Sequence, residues 1–296
     1  MTLFHQRCAE LPFLGIGVST EFGAQAAPGA LDIDGLHAEA PDLFGFLEVG
    51  VEAAKGLDSD AGRWVAAGRP TTYHFLDINL DEPEDFEPAW LASVMETAAK
   101  MQPAWMCGDA GLWHFGPRDP AHMLLLPPVL TRDAADRLAD GIVRLRAETG
   151  YEVLPENPPG VVYVGDMHLL DFFARVCERA DTGMLLDCAH LAIYQRVCGH
   201  GPADGLDGFP LDRVIEVHVA GGAIREHEGY PFVEDDHGLE VLPDTWTILD
   251  EVAGRAAELR AVVFECERNG IEGVRAGLND LVERLEPTPF GRRRAP

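Results

Sequence analysis

Basic residues are what the chain is shortest of. Lys and Arg together number 23 against 50 Asp and Glu, a formal net charge of −27 over 296 residues, and lysine is confined to Lys55 and Lys100. A field of this sign repels nucleic-acid phosphates, which proteins usually meet with clustered Lys and Arg, so no nucleic-acid partner is expected. The one basic cluster, Arg292, Arg293 and Arg294, follows Pro289 and reads as a solvated end. Long apolar runs are also lacking. Nothing approaches the roughly 20 apolar residues of a spanning helix. The start MTLFHQRCAE has no basic stretch followed by an apolar one, so no secretory signal and no membrane partner are expected, and the cytoplasm is the default location. The six cysteines, Cys8, Cys107, Cys177, Cys188, Cys198 and Cys266, form no CxxC pair. That argues against a disulfide framework or a thiolate zinc site and predicts buried thiols in a reducing compartment. No GxGxxG follows the first apolar run, since GIGVST lacks the third glycine that close helix–strand packing needs, and dinucleotide binding is set aside.

What is present is a regular alternation. Apolar residues make up 47% and charged residues 25%, enough to build a folded core. Runs of strand length lie at 14–20, 46–52, 71–79, 104–110, 151–158, 183–190, 214–221 and 261–268. Amphipathic helices are predicted over 86–101, 131–149, 167–180, 244–259 and 271–286. Thr131 reads as an N-cap with Gly150 as the stop, and Asp166 precedes the third of these helices. Eight strands alternating with helices predict an α/β fold, a (β/α)8 TIM barrel, as one domain over 1–287 with a flexible tail over 288–296; a doubly wound open sheet is the runner-up.

The chemistry lies in where these runs end. A barrel strand is covered by helices and should be apolar, yet nearly every run carries an acid or a histidine near its end. These are Glu48 and Glu52; His74 and Asp77; Asp109, with His114 after it; Glu156-Asn157; Asp187 and His190; Glu216 and His218; Glu265 and Glu267. An acidic loop, Glu234-Asp235-Asp236-His237, follows the seventh run. Strand C-termini of a barrel converge on one face, where active sites are built. So many carboxylates brought together repel one another unless cations intervene. Imidazole with carboxylate suits Zn²⁺, Fe²⁺ or Mn²⁺. The economical reading is two or three metal ions bridged by carboxylates. Taken singly, each of these residues reads as an ordinary polar group of a barrel mouth. Glu216, two residues from His218, is a structural hydrogen-bond partner as readily as a ligand. His5, His37, His122, His168, His200 and His227 are assigned to surface or helix positions.

The spacings Asp187-x-x-His190, His218, Asp235-x-His237 and Glu265, preceded by His74 and Glu156, resemble the xylose-isomerase-like metal barrels. Within that superfamily the chain is similar, over almost its full length, to the multinuclear non-haem iron-dependent oxidative enzymes typified by MbnB. GIGVS resembles the family's first strand, FLEVGVE its FFEVHPENY-type strand and PENPPGVVYVGDM its LENPSSY motif. LLDCAHLAIY resembles its LLLDVNN segment, EVHVAGG its EIHLAGH, DDHG its DTHG and PDTWTIL the Trp-containing helix that follows. Departures stand out. No His occurs near Glu21 and Phe22, Gly50 and Gly222 stand at His positions, Ala189-His190 replaces an Asn pair, and Phe75 follows His74 in place of Gly. They imply a divergent member in which a two-iron core has a weak or absent third site.

The resemblance implies iron as cofactor, two or three ions cycling between Fe²⁺ and Fe³⁺, with O2 as co-substrate. The substrate it implies is a cysteine or other side chain of a ribosomal peptide, or a small thiol. The metal ligands it implies are His74, Asp109, Glu156, Asp187, His190, His218, Asp235, His237 and Glu265, with His74, Asp187, His190 and Glu265 nearest the chemistry. Asn157 is a candidate either to orient a neighbouring ligand or to contact substrate; Arg268, for its bidentate fork, is a candidate to pair with a substrate carboxylate or with a carboxylate of the barrel; Glu267 and Asp236 are candidates to orient ligands. Relatives of this type act with a small partner that captures the precursor peptide; no such domain is evident here, so a separate one or a free small-molecule substrate is expected. Endonuclease IV, a three-zinc phosphodiesterase, shares the DxxH and DxH pairs, but the chain lacks the basic surface that bent DNA needs. Sugar isomerases of the superfamily are a further alternative; they commonly use a lysine near the metals, and Lys55 and Lys100 are poorly placed for it.

Overall fold

The alternation closes on itself. The computed structural model describes residues 3–118 and 124–294. A short helix α1 (Leu3–Cys8) precedes strand β1 (Gly15–Glu21), and α2 (Ile33–Glu39) leads to β2 (Phe46–Val51). Then come α3 (Ser59–Ala66), β3 (Thr71–Phe75), α4 (Pro88–Met101), β4 (Met106–Asp109), α5 (Arg132–Thr149), β5 (Val153–Glu156), α6 (Leu169–Ala180), β6 (Met184–Asp187), α7 (Cys188–Cys198) and β7 (Val214–Ala220). An antiparallel hairpin, β8 (Gly222–His227) and β9 (Tyr230–Asp235), stands outside the barrel, and α8 (Pro243–Arg255), β10 (Ala261–Glu265), α9 (Ile271–Leu285) and α10 (Pro289–Arg294) complete the chain. The parallel strands form a closed barrel in the order β1-β10-β7-β6-β5-β4-β3-β2, which is the predicted (β/α)8 architecture and excludes the open sheet.

The helices form for the reasons the sequence offers. In α5 the Thr131 hydroxyl accepts from the Ala134 amide at 3.4 Å, Gly150 ends the helix at φ 78°, and Ala134, Leu138, Ile142 and Leu145 are buried along one face. In α6 the cap is His168, whose Nδ1 accepts from the Leu170 amide at 3.1 Å, two residues beyond the Asp166 that precedes the helix in the sequence. The sixth apolar run, expected as a strand to residue 190, ends as a strand at Asp187; the rest is the first turn of α7. A continuous apolar string does not distinguish a strand from the buried helix that follows it. The stretch expected as a flexible tail contains α10, whose Phe290 is buried and packs on Phe13 at 5.1 Å between ring centroids. Five cysteines are buried and Cys198 is exposed; all six are free thiols.

Two apolar clusters divide the core. The larger joins outward-facing strand residues to the helices, and the smaller, with Phe46, Trp105, Cys107, Leu154, Leu185 and Val263, fills the inside of the barrel beneath Phe4 of α1. The inward face follows the strand period of two. Phe46 is followed by Glu48, Cys107 by Asp109, Leu154 by Glu156, Leu185 by Asp187 and Val263 by Glu265. Each of these strands thus carries an apolar side chain low in the barrel and an acid nearer its C-terminal end.

Candidate metal centre

That layering brings seven of the nine expected ligands together at the barrel mouth: His74, Asp109, Glu156, Asp187, His190, His218 and Glu265 are all buried. His74 Nε2 lies 2.7 Å from Glu156 Oε2. His218 Nδ1 lies 3.3 Å from both Glu156 Oε1 and Glu265 Oε1, without hydrogen-bond alignment, and its Nε2 is 3.0 Å from Glu48. The DxxH spacing has a local cause. Asp187 is the N-cap of α7, its carboxylate accepting from the His190 amide at 2.5 Å, which sets the imidazole one turn above the strand end. His190 Nδ1 donates to the Asn157 carbonyl at 2.9 Å, and Nε2 meets Asp235 Oδ2 at 3.0 Å.

The other two expected ligands arrive from the hairpin. The acidic loop expected from sequence is the end of β9 and the turn after it. Asp235 lies 3.4 Å from His237 Nε2, and Glu267 holds His237 Nδ1 at 2.7 Å while accepting from the Ser19 hydroxyl at 3.2 Å. The segment is pressed onto the mouth because Gly221, after β7, lies against Gly238; a Cβ on Gly221 would come within 2.1 Å of the Gly238 carbonyl oxygen. His237 itself takes φ 49°, a left-handed backbone that costs a non-glycine residue energy and is common at functional sites.

Among the described residues five overlapping triads result, each with donor atoms within 4.8 Å of one another: Glu48, His74 and His218; Glu48, Cys107 and Glu216, lower in the barrel; His74, Asp109 and Glu156; Glu156, Asp187 and His190; Asp187, His218 and Glu265. Glu156 and Asp187 each belong to two, the arrangement that bridging carboxylates need. Glu48 falls outside the ligand set expected from sequence; its signal is the period of two from Phe46, the same signal that the expected acids carry. Asp109 Oδ1, Glu156 Oε1, Asp187 Oδ2, His218 Nδ1, Asp235 Oδ1 and Glu265 Oε2 are buried without a hydrogen-bond partner. Orphaned buried polar atoms are costly, and a ring of them around one space fits cations held among them.

The electrostatics agree. Glu48, Asp109, Glu156, Asp187, Asp235, Glu265 and Glu267 face four imidazoles, those of His74, His190, His218 and His237. Even with every imidazole protonated, acid remains in excess. Burial disfavours the His74 imidazolium, but Glu48 and Glu156 outweigh it and lift the group to about 9. His190, His218 and His237 are likewise raised well above the usual imidazole range, against burial, by the carboxylates around them. Burial, partly offset by His190 and reinforced by Glu265 and Glu156, pushes Asp187 up to about 7. Glu265 is drawn down to about 2, because His237 and His218 outweigh its burial. The mouth draws in positive charge from whatever source is at hand.

Residues beyond the ligands sort differently from expectation. Asn157, expected to orient a neighbour or to touch substrate, is fully buried; its amide donates to the Asp187 carbonyl and accepts from the Asp187 N–H, both at 3.0 Å, the first of those two arrangements. Arg268 lies at the rim, 3.7 Å from Glu21 and 3.9 Å from Glu267. Glu267 orients His237 as expected, whereas Asp236 caps Gly238 at 3.0 Å and lies 3.7 Å from Arg225, away from the cluster. Glu216 is bonded by Trp105 Nε1 at 2.6 Å beneath His218. Asp77 accepts from Ala53 and Trp90, and His114 pairs with Asp85, so both are satisfied outside the centre. Of the histidines set aside, His168 meets Tyr194 edge-on and His200 packs on it at a tilt, His37 packs on Trp64 and His5 meets Asp212 at 3.2 Å. His227 ends β8 on the exposed hairpin, and His122 lies outside the described residues. Above the ligands opens a cleft of about 200 Å³, with Thr20, Leu76, Trp113 and Leu125 in its walls.

Known proteins share this frame. A UPF0276 protein of Caulobacter vibrioides is 26% identical over 249 residues, covering 82% of this chain and 84% of its own, and one of Anaeromyxobacter is 24% identical over 196 residues, covering 66% and 67%. Among solved structures, an endonuclease IV from Thermus thermophilus superposes with a TM-score of 0.53 at 16% identity, covering 93% of this chain and all of that one. A xylose isomerase-like TIM barrel protein from Mycobacterium smegmatis, in complex with magnesium, gives 0.52 at 11% identity, covering 94% and 99%. These structural likenesses show the fold. Residues 30–274 match the family described as RiPP precursor modification enzyme MbnB/TglH/ChrH, and the chain belongs to that family.

Proposed function

We propose that this enzyme uses two or three iron ions and O2 to oxidise a side chain, a cysteine foremost, of a ribosomally made peptide or a related small thiol. The observation that supports the reading best is the set of triads linked through Glu156 and Asp187, with their unpartnered buried atoms. The donors are imidazole nitrogen and carboxylate oxygen, a set that suits Fe²⁺ and leaves coordination positions for substrate. His74, Asp109 and Glu156 would hold one ion, and Asp187, His218 and Glu265 a second. His190 and His237, which meet at the Asp235 carboxylate, would with it serve a third. Bound iron supplies one-electron redox steps and activation of O2. The chain supplies the rest. Asn157 and Glu267 fix the ligand geometry, Leu76, Trp113 and Leu125 wall the cleft against water, and Arg268 at the rim is placed to receive a substrate carboxylate. Elemental analysis of anaerobically purified protein, with visible absorption followed on exposure to O2, tests the reading. Bound iron with an O2-dependent spectrum is the expected result. Zinc, manganese or magnesium with no response to O2 would transfer the site to the hydrolases or isomerases of this superfamily.

A further inference from the structure

Next to the metal cleft, across a wall formed by Leu125 and Asp235, lies a second depression of about 460 Å³. It runs between the loops at 125–127 and 159–162, α7 and β9. Leu126, Pro127, Val161, Val162, Ile193 and Phe232 make it apolar, and Val161 and Val162, 62% and 64% exposed, extend it as an apolar patch of the kind that marks interaction sites. The strand that forms one wall has a free edge. β9 pairs with β8 along its whole length, from Gly222↔Asp235 to His227↔Tyr230, and among the described residues no strand pairs with its other side. An unpaired edge is a template for one more strand. The edge also has a direction, because β9 ends at Asp235, which touches His190 in the metal centre. A chain laid along it is led into the cleft. Charge narrows the occupant further: the net charge is −27, and although Arg225 pairs with Glu234 at 2.8 Å, the hairpin also carries the exposed Glu226 and Glu228, so an extended segment carrying Lys or Arg is favoured over an acidic one.

We propose that this groove receives an extended, basic peptide segment that adds a strand to the free edge of β9 and passes its neighbouring residue over the Leu125–Asp235 wall into the metal cleft. The inference rests on the reading of the cleft as a metal centre acting on a peptide. A fluorescein-labelled hexapeptide alternating Val and Lys is titrated against the full-length protein by fluorescence anisotropy, beside the same peptide N-methylated throughout and a peptide alternating Val and Glu. The Val/Lys peptide is expected to bind at least tenfold more tightly than either control. It should bind equally before and after chelator treatment, and at least tenfold more weakly to a Val161→Ser/Val162→Ser variant, which removes the apolar surface without adding charge and whose metal content is unchanged. Absence of Val/Lys binding up to millimolar concentration overturns the proposal. So does binding indifferent to N-methylation or to the double variant, or a solution dimer cross-linked through β9, which would make a second copy the occupant. Failure of the metal reading would show separately, as a chain purified without iron, and would leave the anisotropy result standing.

Discussion

The two ends of the barrel treat buried acid in opposite ways. At the base, Glu152 before β5 accepts from Arg7 at 2.8 and 3.1 Å and from the Thr182 hydroxyl at 3.0 Å, with Arg146 at 3.5 Å. Arg213 pairs with Asp181 at 3.3 Å and donates to the Thr182 carbonyl. There the chain neutralises its own carboxylates with fixed guanidiniums. At the mouth, among the described residues, no Lys or Arg pairs with Glu48, Asp109, Glu156, Asp187, Asp235 or Glu265, and imidazole is their sole ionic partner. Of the 23 basic residues several sit under the barrel, whereas among the described residues only Arg268 reaches the acids clustered at the mouth, at the rim, 3.9 Å from Glu267. The contrast separates acids that the fold pairs with its own guanidiniums from acids left with imidazole alone, a set that could hold a cation.

The sharpest way to break that contrast is to remove a shared ligand. Glu156→Gln should cost more than about 100-fold in activity, beyond what loss of an orienting neighbour costs, and at least one metal equivalent by elemental analysis. A variant that keeps its full metal content would sink the assignment of Glu156. Asn157→Ala, which frees the Asp187 backbone without touching a ligand, should lower metal affinity by roughly 10- to 100-fold, read by competition with a chelator. At the base, Glu152→Ala should leave metal content unchanged in the folded protein. It should lower unfolding stability by about 2 kcal/mol, less than for a wholly buried pair because Arg7 is partly exposed.

The ends should also differ in their response to pH. His74 is raised to about 9 from an ordinary 6.5, so in metal-free protein its contribution to stability is complete below about 6.5 and is lost as pH rises through 9. Asp187, raised to about 7, adds a cost of burial that grows as pH climbs from 3.8 towards 7, in the same direction. Metal-free protein should therefore lose of order 1 kcal/mol per pH unit between pH 6.5 and 9, whereas the metal-loaded form should show a flat Tm, since the ions displace those protons. Equal slopes for the two forms would refute the reading of imidazolium as a stand-in for metal. The smallest effect belongs to Arg268→Ala at the rim. Stability should change by less than about 1 kcal/mol, and KM for a carboxylate-bearing substrate should rise with kcat unchanged.

Much of this is legible in the residues. Short strands of Val, Ile and Leu ending in acid or histidine give away both the barrel and its mouth, because the (β/α)8 fold places every strand C-terminus on one face. Three things are hidden, each for a physical reason. The run MLLDCAHL is largely apolar, so the change from β6 to α7 leaves no mark until Asp187 is seen capping a helix. The hairpin β8–β9 is exposed and charged, without the apolar alternation of a half-buried strand, and so passes for a loop. Phe290 reads as part of a frayed end because its partner, Phe13, lies far away in the chain.

By itself, then, the order of residues determined the alternation of strands and helices, the period of two that puts an acid above an apolar neighbour, and the kinds of donor available at the mouth. Those are local properties, set by side-chain direction and backbone preference. Tertiary structure alone decided which acids lie close enough to share a cation, that Asn157 bonds the Asp187 backbone, and that a hairpin from beyond β7 carries Asp235 and His237 over the site. Those depend on distances across a closed barrel, where residues as far apart as His74 and Glu265 become neighbours through His218 and Glu156, and no local pattern encodes a distance of that kind.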